Sequence, residues 1–174
     1  MNRDWIQKEV TSAEANKLLK NVTKERDMLI NSERKNMSFR AAIIEKIEDV
    51  KPEYDFVDTQ IDILDYNESI TSIKHCINKF NIETVVGDSG KTIDEVLVLL
   101  PQLTNNLRKY ESMLNNEEKS RVGYGGKENF IEYDYINYDL EDVRKAYNDT
   151  KAKIEYLQLE LDKINSTVKF NVIY

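Results

Sequence analysis

Residues 140–164 read LEDVRKAYNDTKAKIEYLQLELDKI, and this stretch decides the fold. Its apolar and half-apolar positions are Leu140, Val143, Tyr147, Thr150, Ile154, Leu157, Leu161 and Ile164. They are spaced alternately by three and four residues, the repeat that keeps one face of a helix against a partner helix in knobs-into-holes packing. Asp139 precedes them as an N-cap. The seam predicts a long helix whose partner is either another helix of the chain or a second copy of it.

Working towards the N-terminus, the same logic recovers further helices. Thr11-Ser12-Ala13-Glu14 and Thr92-Ile93-Asp94-Glu95 are capping boxes, in which hydroxyl and carboxylate satisfy amides that a helix start leaves free. The first opens a helix carrying Ala15, Leu18, Leu19, Val22 and Leu29, which the polar run Asn31 to Ser38 is expected to break. Ile43, Ile44, Ile47 and Val50 suggest a short helix or strand, closed by Pro52. A long helix follows from about Glu53 to Phe80. The second box opens a helix from Ile93 to Leu114, where Pro101 should kink the helix or mark its start after a first turn. Short strands are expected near 84–86, 129–136 and 168–173, with a glycine loop at Gly123, Gly125 and Gly126.

The fold class expected is therefore mainly α. About four helices, three of them long, form antiparallel hairpins in a single domain over 1–174. The few strands, too short to make a sheet alone, are expected to be completed by oligomerisation.

Composition narrows the function classes. The chain has 174 residues, 25 Lys and Arg against 32 Asp and Glu, and a net charge of −7. Such a chain lacks the clustered positive charge that displaces counterions, so no nucleic acid is expected as partner. No apolar run approaches a membrane span, and the first residues carry no apolar leader, so a cytoplasmic protein without integral membrane association is expected. Charge is uneven. Lys17 to Lys46 holds eight basic and four acidic residues, whereas Ile47 to Glu68 holds one basic and eight acidic. Opposite signs on neighbouring segments suit an antiparallel helix pair or a contact between subunits.

Chemistry-bearing motifs are few. Val85-Val86-Gly87-Asp88-Ser89-Gly90-Lys91-Thr92 ends like a phosphate-binding loop, but that loop needs four residues between its glycines and only two stand here. A capped turn is the expected structure. His75 and Cys76 are the only residues of their kinds, and helical neighbours diverge, so they make no nucleophile–base pair. Symmetry could still gather copies of His75. Asp55, Asp58, Asp62 and Asp65 match no calcium-loop spacing and read as a solvated face. Six tyrosines, Tyr124, Tyr133, Tyr135, Tyr138, Tyr147 and Tyr156, point to packing or subunit contacts. No catalytic residue, metal site or cofactor is expected.

Ile77-Asn78-Lys79-Phe80-Asn81-Ile82-Glu83-Thr84, followed by Lys91-Thr92-Ile93-Asp94-Glu95-Val96-Leu97, resembles an uncharacterised bacterial family called septicolysin-like. The order of elements resembles that family over most of residues 11–165, including a strand and long helix from Glu128 onwards. The resemblance implies a mostly helical fold that assembles into oligomers, hexamers among them, with no established activity.

The functional expectation is a non-enzymatic cytoplasmic protein that self-assembles through Leu140, Val143, Tyr147, Ile154, Leu157, Leu161 and Ile164 and the adjoining strands. The alternatives are a small-ligand binder or enzyme with its site between subunits, near His75 or the tyrosines, and a membrane-active protein using the amphipathic stretch 11–30.

Overall fold

A computed structural model describes residues 5–122 and 131–174. It is mainly helical, with five helices and a few short antiparallel strands among the described residues. In chain order these are β1 (Gln7–Thr11), α1 (Ser12–Asn36), α2 (Ile47–Val50), α3 (Phe56–Glu83), α4 (Ile93–Leu114), β2 (Lys119–Arg121), β3 (Tyr133–Tyr135), α5 (Leu140–Thr167) and β4 (Lys169–Ile173). Four helices are long, one more than the periodicity indicates, and α2 is a single turn. The chain divides into two compact units, residues 1–84 with 163–174, and residues 85–162.

The first unit is built on α1 and α3. Both predicted capping groups are in place at the start of α1. The Thr11 amide donates to Glu14 Oε2 at 2.9 Å, and the Glu14 amide donates to Thr11 Oγ1 at 3.3 Å. Arg26 Nη1 donates to Asn67 Oδ1, and Gln60 Nε2 donates to Glu33 Oε1 at 2.7 Å. Later residues of α1 thus meet earlier residues of α3, and the helices run antiparallel. Ala15, Val22, Ile70, Ile73 and Ile77 form the buried core between them with Val10 and Val172 of the strands.

The strands close that core. β1 pairs antiparallel with β4, from Gln7 opposite Ile173 to Thr11 opposite Lys169. Ile6 and Tyr174 continue the ladder, each amide donating to the other's carbonyl. Val10 and Val172 point inward and are buried, while Glu9, Asn171 and Ile173 face out, the alternation of a half-buried strand. The Phe170 ring stacks on Phe80 with centroids 4.3 Å apart, fixing β4 to α3.

The second unit pairs α4 with α5 by their ends. Tyr156 of α5 accepts a hydrogen bond from the Asp88 amide, just before α4. Tyr138, just before α5, donates to the Met113 carbonyl at the end of α4. The two helices therefore run antiparallel. β2 and β3 pair between them, from Lys119 opposite Tyr135 to Arg121 opposite Tyr133.

Several expectations need correction. α1 does not break at Asn31 but runs to Asn36. Its last turns are held by Glu33, which accepts from both Tyr54 and Gln60, and Arg34 and Lys35 complement the negative end of the helix dipole. Pro101 marks no start: it lies inside α4, which opens at Ile93. The strand expected at 84–86 is a single bridge from Val85 to Thr92. Of the strand expected over 129–136, the described part is Tyr133–Tyr135. Residues 129–130, Tyr124, the glycine loop at 123–126 and the first four residues lie outside the described residues. Each described strand finds its partner within the chain, so no second copy is needed to pair them.

Candidate functional site

The loop ending in Gly-Lys-Thr is a capped turn. Gly87 to Ser89 form one 3-10 turn, and Gly90 closes it in the left-handed region at φ +66°. The Val86 amide donates to the Lys91 carbonyl and the Ser89 amide to the Val86 carbonyl. With the Asp88 amide donating to Tyr156, these N–H groups are engaged by protein atoms, not left as a cradle for phosphate oxygens. Gly87 is required here, at φ +48°, because a Cβ would sit 2.5 Å from the Tyr156 hydroxyl oxygen. Thr92 then caps α4. Its amide donates to Glu95 Oε2, and its hydroxyl accepts from the Glu95 amide. Those backbone hydrogen bonds hold the carboxyls of Glu95 and Glu14 below the ordinary carboxylate value.

The other chemistry-bearing residues stay apart. His75 is exposed on α3, while Cys76 is half-buried against the α1–α3 core. Asp55, Asp58, Asp62 and Asp65 are exposed, and Asp55 serves as the N-cap of α3 by accepting from the Asp58 amide. Among the described residues no cluster of His, Cys, Asp or Glu is arranged to hold a metal ion. No described helix is long and apolar enough to cross a membrane.

The tyrosines divide by position. Tyr138 and Tyr156 tie helix ends, as described above. Tyr133 and Tyr135 stand exposed on β3, with centroids 6.4 Å apart, and the Lys119 ammonium lies 3.9 Å from the centre of the Tyr133 ring. Beside β3 a depression of about 470 Å³ is lined by Asn116, Glu117, Ser120, Asp134, Tyr135, Ile136, Asn137 and Tyr138.

The seam of α5 is already covered. Leu157 is 1% exposed, and Val143, Ile154, Leu161 and Ile164 are all buried within the single chain. Leu140 and Tyr147 are half-buried. A partner docking on this face would find little apolar surface left.

A group of exposed apolar side chains lies instead on the half of the α1–α3 hairpin remote from the strands. Here the core residues give out: nothing between Thr23 and Glu68 is buried. On α3, Phe56, Val57 and Leu64 are each about three-fifths exposed. In the segment joining the helices, Ile43 and Ile44 are 105% and 94% exposed. Sequence reasoning missed this site, because an apolar residue in a pattern reads as buried whether or not the fold supplies something to cover it. Comparison with protein-family models, curated proteins and solved structures gives no match.

Proposed function

We propose that this chain is a non-enzymatic helical protein that works by self-assembly. The observation that carries the reading is the exposed apolar arm at the end of the α1–α3 hairpin. Monomeric soluble proteins rarely leave such surface to water, and where they do it marks an interaction site. In this reading the arm, in preference to the α5 seam, carries assembly, and the burial of the seam residues by their own chain supports that choice. The septicolysin-like resemblance of Ile77 to Leu97 implies the same class: a bacterial, cytoplasmic, oligomeric protein, up to a hexamer. The test is solution mass, by size-exclusion chromatography with light scattering. Assembly gives a multiple of 20.4 kDa. A monomer across the micromolar range refutes it.

A second reading has its own observation. The polar depression beside Tyr135 gathers amide, carboxylate and phenol groups, the mixture a small polar ligand needs. A screen of polar metabolites by thermal shift tests it. Stabilisation that is lost in Asn137→Ala supports a ligand there, and a flat response across the screen removes the reading.

A further inference from the structure

The arm's area and charge identify what covers it. This inference rests on the assembly reading and specifies its geometry. Met37, Ile43, Ile44, Phe56, Val57 and Leu64 are each more than half exposed. Scaled by those exposures, at about 150 Å² for a fully exposed side chain, they present on the order of 700 Å². That exceeds the roughly 300–600 Å² of the largest patch on an ordinary monomer, and approaches the roughly 800 Å² each partner gives to a stable interface.

Charge then selects the partner and its orientation. α1 and the segment after it are net basic, with eight basic and four acidic residues from Lys17 to Lys46. Ile47 to Glu68, which includes the first half of α3, holds eight acidic residues and one basic. Within the arm, α1 carries Lys24, Arg26, Arg34 and Lys35 against Glu25, Asp27 and Glu33, whereas α3 carries Asp58, Asp62, Asp65 and Glu68 and no basic residue, so the arm has one long edge of mixed charge and one strongly acidic one. Two such arms can stack face to face about a two-fold axis in two ways. With the axis across the helices, α1 lies on α1 and α3 on α3, so the acidic runs oppose each other. With the axis along the arm, α1 of each copy lies on α3 of the other. The acidic run of each copy then faces the mixed-charge edge of the other in place of a second acidic run, and the two connecting segments arrive at the same end, pooling Ile43 and Ile44. The geometry points to the second arrangement: a second copy of the chain docks on the arm, tips together, forming a four-helix bundle between subunits. A lipid surface is the weaker occupant, because the eight carboxylates flanking the apolar side chains repel an anionic bilayer.

Three measurements test this on the full chain. Ile43→Ser/Ile44→Ser alters only exposed side chains, so helix content by circular dichroism stays at the wild-type level while the dimer dissociation constant rises at least ~10-fold. In a Cys76→Ser background, Ile44→Cys forms a disulfide-linked dimer under mild oxidation, because the tips meet. Raising salt leaves the dimer no tighter, since its acidic runs face mixed charge; the crosswise arrangement, with acidic runs opposed, would be strengthened. A wild-type monomer overturns both the assembly reading and this one. An oligomer that survives Ile43→Ser/Ile44→Ser, fails to cross-link at position 44, or tightens with salt overturns this inference and leaves assembly standing. A monomer that co-sediments with phosphatidylglycerol vesicles assigns the arm to lipid and overturns it as well.

Discussion

Replacing Gly87 with alanine tests how the turn before α4 is locked to α5. Gly87 has φ +48°, where an L side chain costs about 1 kcal/mol. The added Cβ would stand 2.5 Å from the Tyr156 hydroxyl and 3.0 Å from Glu160 Cγ. Glu160 Cγ need give only by a few tenths of an ångström. The tyrosine has to move, and in moving it gives up the 2.8 Å hydrogen bond from the Asp88 amide. Losing that bond costs about 1 kcal/mol, so Gly87→Ala should destabilise by about 2 kcal/mol. Tyr156→Phe removes the hydroxyl outright and should cost about 1 kcal/mol. In the double variant the clash is gone and the bond is already lost, so only the backbone cost is added, giving about 2 kcal/mol instead of the ~3 of simple addition. Urea denaturation of the four proteins, followed by circular dichroism, measures the cycle. Additive costs would refute the steric coupling, as would a Gly87→Ala variant as stable as the wild type.

Other perturbations separate buried positions from exposed ones. Leu157→Ala should cost about 2–5 kcal/mol in urea denaturation, whereas Leu159→Ala, two residues along at 67% exposure, should change little. Phe170→Ala loses the ring stacked on Phe80 and should cost about 3–5 kcal/mol by the same measurement. Acid should loosen the helix starts. The folded-state values of Glu14 and Glu95 are lowered chiefly by the backbone hydrogen bonds of Thr11 and Thr92, so the stability these groups add is present above the ordinary value of 4.5 and is lost as pH falls below it. Glu14→Gln/Glu95→Gln should therefore show a shallower fall in melting temperature between pH 5 and 3 than wild type.

What the sequence disclosed was local. Capping boxes act over three residues, so Thr11–Glu14 and Thr92–Glu95 were legible in advance. The heptad seam was legible as an apolar face, but its spacing is the same whether the partner helix belongs to the chain or to another copy. The bonds of Tyr156 and Tyr138 to the two ends of α4 are long-range, and no local pattern announces them. β1 escaped for the same reason. Between Gln7 and Thr11 only Val10 is apolar, and the strand is specified by β4 at the far end of the chain. The candidate arm was hidden differently: Ile43, Ile44 and Val57 look like core residues, and only the fold shows that nothing among the described residues covers them.

The β1–β4 ladder carries a consequence for the order of folding. The first unit is discontinuous in sequence. Val172 completes a core whose other members all precede Ile82, and the whole second unit lies between them. During synthesis, α1 and α3 emerge early with their inner apolar side chains lacking a lid. The second unit has contiguous sequence and needs no part of β4 to fold. Its folding brings α5 into being and so shortens the effective loop that β4 must close to reach β1, lowering an entropic cost that grows with loop length. Variants that slow the second unit, with Gly87→Ala the first to try, should therefore delay closure of a core they do not touch.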